Sequence, residues 1–492
     1  MRRLIPALLA IPSLLAAQES FDRAMIARIR DEGLNHSHAY AMLDTIATVI
    51  GPRLTGSPAF MRAAEYAKGR LESFGLSDVH MESWPFGRGW QLDKFTLEMT
   101  APRYTPLIGY PDAWSPSTNG DVVGTPLLIA GISADSLEKM RGRLKGAIVL
   151  AQPLMTNFIR EDRVNPTAPN APADVYTPAP PIGGGRGGRG GGRGPTEAQR
   201  IAAILHDAGV GVVLKPSRGI HGTLFVQTRD AGASGVPTVV VAAEHYNNII
   251  RLLANHVAPT LRVNVHGQYF TRDTSGYNVI AELPGTDPRL KDEVVMIGGH
   301  LDSWHAATGA MDNADGAATV MEAMRILTAV GARPRRTIRV ALWGGEEEGL
   351  FGSRAWVERH LAGDANAGAR DKMSVYFNID PGYGLVYGFY TEGNAAAKQI
   401  FDAWLEPFKD LGARKNVVAG IGNTDHLSFI AQGIPGFNPV QEFADYDVRI
   451  HHTDMDTIDR MKPDDIKEAA IVFAAFAYNA AMRDEKIPRA PR

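Results

Sequence analysis

Histidine and aspartate residues in the middle of the sequence have the types and spacing of a metal site. His300 and Asp302 lie two residues apart, just after the apolar run Val294–Ile297. Asp312 follows in a loop of small residues that leads into an Ala-rich stretch. Because the 492-residue chain contains no cysteine, imidazole and carboxylate groups must supply any protein ligands. That ligand set suits a borderline divalent ion such as zinc.

The remaining candidate ligands form two sets. Carboxylates follow two further apolar runs, and they are Glu346, Glu347, Glu348 and Asp380. A pair of histidines, His451 and His452, comes late in the chain. In an open α/β sheet, ligands bind outside the carboxyl ends of the strands, so side chains far apart in sequence can converge at one edge. Each group alone also has a structural explanation: a hydrogen bond for His-x-Asp and a solvated turn for the glutamates. The combination of all these groups favours a metal site.

Strand–helix alternation after Tyr277 predicts the sheet that would position these residues. The predicted strands are Asn278–Leu283, Glu293–Ile297, Thr337–Trp343 and Ser374–Ile379. Helix-like stretches separate them, and a last helix is predicted at Pro463–Met482. This pattern is typical of an α/β fold with a helix-flanked mixed, largely parallel sheet.

A change in the residue pattern predicts a β-rich domain inserted at residues 116–266. A Pro/Gly/Ser-rich stretch precedes it, and short β-rich runs surround a helix predicted at 196–208. The domain that carries the candidate ligands would then be discontinuous, with residues 18–115 and 267–483, and residues 484–492 would form a loose tail.

Within the insertion, residues 178–195 form a Gly-rich tract that contains Arg186, Arg189 and Arg193. Such a tract buries too little apolar surface to order itself, so we interpret it as a flexible surface loop. The alternative is an RGG-type RNA-binding segment, but its arginines lack the interleaved aromatic residues that would stack on bases.

Composition limits the function classes. The chain is 45% hydrophobic and 21% charged with a net charge of −3, which gives no global indication of nucleic-acid or anionic-membrane binding. Residues 1–17 combine two arginines, a short apolar run and small residues, a pattern typical of a signal peptide. We therefore expect an exported protein, periplasmic or secreted, that does not span a membrane. The oligomeric state is left open, with a homodimer as one option.

The motif set resembles the co-catalytic di-zinc aminopeptidase family. The matching elements are His-x-Asp, Gly-Ala-x-Asp-Asn, Gly-Glu-Glu-Glu-Gly-Leu, Asn-Ile-Asp and His-His-Thr-x-x-Asp-Thr, in that order. The closest likeness is to the plasma glutamate carboxypeptidase (carboxypeptidase Q) branch, and it extends to the loop Gly51–Ser57. The insertion resembles a protease-associated domain.

The resemblance implies a role for each matched residue. Five side chains would bind two Zn²⁺ ions: His300, Asp312, Glu347, Asp380 and His452. Of these, Asp312 would bridge the ions, His300 and Asp380 would serve one ion, and Glu347 and His452 the other.

Three residues would act without binding zinc. Glu346 would be the general base for attack by a metal-bridged hydroxide. Asp302 would hydrogen-bond the far nitrogen of His300 and set its tautomer. Many family members have tyrosine where this chain has His451, and we hypothesise that His451 stabilises the oxyanion instead.

The implied function is a zinc-dependent exopeptidase that removes N-terminal residues from peptides or cleaves dipeptides. One alternative is a carboxypeptidase acting on short peptides, with Arg449 as a candidate partner for the substrate carboxylate or, as the simpler reading, part of a structural ion pair. Another is a receptor-like binding module of the same fold, although relatives with that role lose zinc ligands.

Five neighbouring acidic or histidine positions have structural interpretations. Glu348 is expected to be a surface or helix-start carboxylate, and Asp315 a helix-start carboxylate that also shapes the site. His305 is expected to line the pocket. The pair Asp425-His426 is expected to have a structural role near the site.

Overall fold

A computed structural model describes residues 19–178, 195–228 and 235–490. The strands are β1 (Ser77–Pro85), β2 (Gly89–Ala101), β3 (Thr105–Pro106), β4 (Gly109–Pro111), β5 (Val122–Gly124), β6 (Leu127–Leu128), β7 (Ile148–Leu150), β8 (Val212–Pro216), β9 (Thr238–Val241), β10 (Thr260–Phe270), β11 (Ser275–Leu283), β12 (Val294–His300), β13 (Thr337–Trp343), β14 (Met373–Asn378), β15 (Tyr383–Tyr390) and β16 (Gly436–Glu442). The α-helices are α1 (Arg23–Asn35), α2 (Ala39–Asp44), α3 (Pro58–Ser73), α4 (Ala134–Lys139), α5 (Glu197–Asp207), α6 (Ala243–Ala254), α7 (Asp315–Ala329), α8 (Phe351–His360), α9 (Ala367–Lys372), α10 (Ala395–Leu405), α11 (His426–Ile430) and α12 (Pro463–Met482).

The largest sheet has seven strands in the order β1-β11-β13-β12-β14-β16-β15. Strand β12 pairs in parallel with β13 on one side and with β14 on the other, and β14 pairs in parallel with β16. The flanking pairs β1–β11, β11–β13 and β15–β16 are antiparallel. The predicted mixed, helix-flanked α/β fold is confirmed.

Both faces of the sheet are covered, which is why its central strands are apolar throughout rather than alternating. Val295 and Ile297 of β12 belong to the core that includes α7 and α12. Val294 and Met296 point to the other face, where they belong to a cluster with aromatic side chains such as Trp356 of α8. The central strands are thereby held rigidly between two helical layers.

Residues 86–274 leave this sheet and build two smaller ones. A four-stranded sheet has the order β3-β2-β10-β5, and a five-stranded sheet has the order β4-β9-β8-β7-β6. A shared core connects them, with Met99 and Val263 from the first sheet and Leu214 and Val239 from the second. Strand β2 pairs with β10 along its length, so the chain leaves the seven-stranded sheet at the end of β1 and rejoins it at β11. The boundaries at 115/116 and 266/267 stay a prediction.

The helix predicted at 196–208 is α5, and it starts with a capping box between Thr196 and Gln199. The predicted signal peptide and the Gly/Arg tract at 179–194 lie outside the described residues. In the described parts of the chain, every helix is too short or too polar to cross a lipid bilayer.

Candidate metal centre

The candidate ligands lie at the carboxyl ends of adjacent parallel strands. His300 is the last residue of β12, Glu347 follows β13, and Asp380 follows β14. Asp312 lies in the segment Ala310–Ala314 directly before α7, where its backbone is not helical (φ −123°, ψ 83°). His452 arrives from the loop after β16 and has a left-handed backbone conformation with φ of 62°. Strand order therefore brings together side chains that are distant in sequence.

The first group of ligand atoms surrounds His300. Its Nε2 lies 3.2 Å from Oδ1 of Asp312 and 3.8 Å from Oδ2 of Asp380. One ligand atom from each of these three buried residues lies within 4.8 Å of the others. Three such atoms at this separation can share one cation.

The second group surrounds His452. Its Nε2 lies 2.9 Å from Oε2 of Glu347 and 3.5 Å from Oδ2 of Asp312. Asp312 thus presents one carboxylate oxygen to His300 and the other to His452. This is the arrangement of two neighbouring cation positions that share a bridging carboxylate.

The charges of the site fit two divalent ions. Nε2 of His300, Oδ2 of Asp312 and both carboxylate oxygens of Glu347 are buried and form no hydrogen bond. Burial raises the pKa of Glu347 well above its usual value and that of Asp380 to about 7. Buried carboxylates that lack a counter-charge are costly, so cations would compensate this cluster. With only nitrogen and oxygen donors, the set suits zinc.

Hydrogen bonding and charge act against burial at the two residues that form the centre of the site. Burial lowers the pKa of His300, but the carboxylates of Asp302 and Asp312 outweigh that effect and raise it well above its usual value. Burial raises the pKa of Asp312, but the contact with His300 and the charge of His452 lower it overall. The bridging carboxylate is therefore held in its ionised form.

Glu346 lies beside the ligand groups without belonging to them. Its Oε2 is 4.0 Å from Nε2 of His300, whereas the groups of potential ligand atoms among the described residues do not include it. Burial raises the pKa of Glu346 well above its usual value, and the charge of His300 opposes that rise. A carboxylate in this position can accept a proton next to the cations.

The expectation that Glu348 lies at the surface is wrong, because this residue is only 8% exposed. The loop before α3 lies against this turn, where the Thr55 hydroxyl donates a hydrogen bond to Oδ2 of Asp302 at 3.2 Å. The same hydroxyl accepts a hydrogen bond from the backbone N–H of Gly345, at 3.0 Å. The loop Gly51–Ser57 therefore packs against the glutamate-bearing turn.

Asp302 contacts both His300 and the glutamate turn. The Nδ1 of His300 lies 3.0 Å from the backbone oxygen of Asp302 and 3.5 Å from its Oδ1. The carboxylate of Asp302 also accepts hydrogen bonds from the backbone N–H groups of Glu346, at 3.3 Å, and Glu347, at 3.2 Å. One residue thus orients a candidate ligand and holds the turn that carries the candidate base.

His451 lies directly beside the second group. Its ring stacks on Tyr446 with centroids 5.4 Å apart, and its centroid is 3.7 Å from that of His452. Asp312, His451 and His452 each offer a ligand atom within 4.8 Å of the others. Burial, together with the charge of His452, lowers the pKa of His451 to about 3. The imidazole is therefore neutral at physiological pH and close to the reaction space.

Asp456 is a site residue to which sequence reasoning gave no role. Its carboxylate accepts hydrogen bonds from the backbone N–H groups of Met311, at 2.7 Å, and Asp312, at 3.1 Å. Burial and the charge of Asp312 raise the pKa of Asp456 to about 7. Its place in the His-His-Thr-x-x-Asp-Thr motif was the signal that could have identified it.

Arg53 is a second such residue, and it is completely buried. Its guanidinium donates hydrogen bonds to the backbone oxygens of Leu301, Thr308 and Gly309, which lie in the loop between His300 and Asp312. Burial lowers the pKa of Arg53 to about 10, so the group stays charged at neutral pH. Arg53 therefore fixes the loop that links two candidate ligands.

Two neighbouring residues have the structural contacts that sequence reasoning expected. His305 lines a cavity of about 260 Å³. Its Nε2 lies 2.8 Å from the backbone oxygen of Pro111. Asp315 is the first residue of α7, and its Oδ2 accepts a hydrogen bond from the Gly384 backbone N–H at 3.1 Å.

His426 contacts a glutamate side chain, and Arg449 forms an ion pair. His426 is buried, with its Nε2 3.2 Å from Oε1 of Glu392. Arg449 pairs with Asp445 at 3.4 Å and contacts Nδ1 of His221 at 3.0 Å. The guanidinium of Arg449 is thereby held in contacts within the protein.

Comparison with known proteins gives matches in both sequence and structure. Residues 278–477 match the sequence profile of Peptidase family M28. Carboxypeptidase Q of Bos taurus is 26% identical over 462 residues, which cover 93% of this chain and 88% of that protein. The human carboxypeptidase Q is 25% identical over 460 residues, with the same coverage of both chains.

Two solved structures share the fold. The crystal structure of a Peptidase M28 precursor from Shewanella amazonensis has a TM-score of 0.69 at 24% identity, and the match covers 95% of this chain and 99% of that one. The structure of BSAP, a zinc aminopeptidase from Bacillus subtilis, has a TM-score of 0.58 at 18% identity, with 91% and 95% coverage.

Proposed function

We propose that this chain, which belongs to peptidase family M28 in the branch of carboxypeptidase Q, is a di-zinc exopeptidase. As a zinc-dependent peptidase, it would remove N-terminal residues from peptides or cleave dipeptides. His300 and Asp380 would hold one ion, Glu347 and His452 the other, and Asp312 both. We also propose that the protein is exported, on the basis of the pattern in residues 1–17. N-terminal sequencing of the mature protein tests export, because an intact Met1 would contradict it.

The observation that carries this proposal is the position of Asp312. Its two carboxylate oxygens lie 3.2 Å and 3.5 Å from the Nε2 atoms of two different histidines. A structural carboxylate would form hydrogen bonds with donors, but Oδ2 of Asp312 is buried and forms none. A shared oxygen ligand between two cations accounts for this geometry.

Two zinc ions, when bound, would polarise the scissile carbonyl and lower the pKa of a water molecule toward neutrality. Glu346 would accept a proton from the attacking water and deliver it to the leaving amine. Its place outside the ligand groups supports this role, because a carboxylate that does not bind a cation keeps its basicity and can accept the proton. Asp302 keeps Glu346 in place through the backbone N–H hydrogen bond.

His451 would donate a hydrogen bond to the carbonyl oxygen as negative charge develops there. Its contact with the His452 ring supports this role, because it places the imidazole next to the reacting bond without taking the place of another ligand. Stacking on Tyr446 would limit rotation of the ring.

Carboxypeptidase action on short peptides is the second candidate. The name of the curated relatives favours it, since they match 93% of this chain. A panel of dipeptides, Xaa-p-nitroanilides, N-blocked peptides and C-amidated peptides separates the two candidates. Cleavage that survives a C-terminal amide but is lost on N-blocking supports the aminopeptidase, and the reverse pattern supports the carboxypeptidase.

Substitution of the base tests the proposed mechanism. Glu346→Gln should retain both zinc ions but lose at least ~10³ in kcat, the typical scale for general acid–base catalysis. Glu358→Gln on the exposed face of α8 is the matched control and should behave as the wild type. Zinc content by mass spectrometry and kcat on a dipeptide are the measurements. Near-normal turnover by Glu346→Gln would refute the role of this residue.

A further inference from the structure

A short segment of the inserted region runs beside the loop that carries His452. The backbone N–H of Val226 donates to the oxygen of His452 at 3.0 Å, and the N–H of Asp454 donates to the oxygen of Leu224 at 3.1 Å. The Asp454 side chain returns a contact by accepting from the Leu224 N–H at 2.8 Å. The insertion is thus joined directly to a candidate ligand loop.

Gln227 extends this contact from the backbone to the ligand ring. Its Oε1 lies 2.7 Å from Nδ1 of His452. An amide oxygen only accepts hydrogen bonds, so it requires the proton of a neutral imidazole to be on Nδ1. The Nε2 of His452 then carries the lone pair, and that atom faces Glu347 and Asp312.

The two ligand histidines differ in the source of this support. His300 meets the backbone oxygen of Asp302, only two residues away, so its ring is oriented by its own loop. The amide that meets His452 lies 225 positions earlier in the chain. Orientation of the second histidine therefore depends on how the insertion docks.

Gln227 is itself held from the insertion side. Two residues earlier, the backbone N–H of Phe225 donates a hydrogen bond to Oγ of Ser217, which directly follows β8, at 3.1 Å. Val226, directly before Gln227, has no exposed surface. The amide is thus presented by a backbone that is fixed to the five-stranded sheet.

We propose that Gln227 is a positioning residue of the metal centre. Gln227 sets the tautomer of His452, and it thereby couples docking of the insertion to the affinity for the ion that His452 and Glu347 would hold. This inference rests on the proposed function, since it requires a cation at that position. Groups that orient metal-bound histidines typically contribute about 10-fold to 100-fold to metal affinity.

The test compares Gln227→Ala, Gln227→Glu and Gln152→Ala. Gln152 is an exposed residue of the same insertion and serves as the control. Zinc affinity is measured by competition with a chromogenic chelator, and zinc content by mass spectrometry. Gln227→Ala should lose about 10-fold to 100-fold in affinity for one of two ions. Gln227→Glu should retain the affinity because a carboxylate oxygen also accepts from Nδ1–H.

Metal-free thermal unfolding separates positioning from a loss of fold, because Gln227→Ala should unfold at the wild-type temperature without metal. If that variant fails to fold, Gln227→Glu decides: retained affinity supports the inference, and a loss of about 10-fold or more overturns it. Two ions bound to Gln227→Ala with wild-type affinity overturn the inference alone. A wild-type protein that binds no zinc pair overturns the proposed function as well, so the two failures are distinguishable.

Discussion

Replacement of Arg53 by methionine should destabilise both the fold and the metal centre. Methionine has a similar length and no charge, so it removes the guanidinium without adding a titratable group. Five hydrogen bonds would be lost at once, to the backbone oxygens of Ile46 (3.4 Å), Gly51 (2.9 Å), Leu301 (2.8 Å), Thr308 (2.8 Å) and Gly309 (2.7 Å).

The size of the effect follows from those bonds. A buried acceptor left without its donor costs about 1–3 kcal/mol. The acceptors are neighbours, so their costs add incompletely, and breaking one buried charged network typically destabilises by about 3–5 kcal/mol. We therefore expect the free energy of unfolding to decrease by about 3–5 kcal/mol. For a cooperative unit of about 300 residues it corresponds to a decrease in Tm of roughly 5–8 °C.

Calorimetry and urea titration of the metal-free protein measure the loss, and zinc titration measures its effect on the site. Arg62→Met is the matched control, because Arg62 is exposed on α3 and its replacement should change stability by less than about 0.5 kcal/mol. Zinc affinity should also decrease in Arg53→Met, since the loop between His300 and Asp312 would lose its anchor. A free energy of unfolding within about 1 kcal/mol of the wild type would refute this reasoning.

Three further predictions concern the site and its surroundings. Asp312→Ala should lose zinc and activity together, and full zinc occupancy in that variant would argue against the bridging role. His451→Ala should retain zinc but lose roughly 10²-fold to 10³-fold in kcat, the scale for one oxyanion donor; an unchanged kcat excludes the role. His305 has a folded-state pKa of about 4, lowered by burial from 6.5. The neutral form of His305 therefore stabilises the fold above pH 6.5. About 3 kcal/mol of the free energy of unfolding is lost as the pH falls from 6.5 to 4. His305→Gln should show a smaller decrease in free energy of unfolding over that interval, and parallel curves would contradict the prediction.

The sequence was sufficient to predict the central sheet and the edge where the candidate ligands meet. Apolar runs without alternation indicate strands buried on both faces, and β12, β13 and β14 are such strands. Polar residues directly after these runs then had to lie at one edge of a parallel sheet. Local pattern and strand direction were enough for that inference.

Contacts between distant loops were not predictable in the same way. Glu348 is buried in a turn against which Thr55, almost 300 positions earlier, packs, and no periodicity in either segment indicates this. Arg53 and Gln227 act through backbone or ring atoms of partners more than 200 positions away. Hydrogen bonds of this kind depend on how loops dock, which residue type and spacing do not encode.

The antiparallel pairing of β1 with β11 has a consequence for synthesis of the chain. Residues 86–274 separate these two strands, and the described residues among them build two sheets. During translation the inserted region can complete its own strand pairs first, while β1 waits for a partner that emerges much later. This edge of the central sheet can close only after the inserted region has been synthesised, so a ribosome stalled just after the insertion would expose β1 to aggregation.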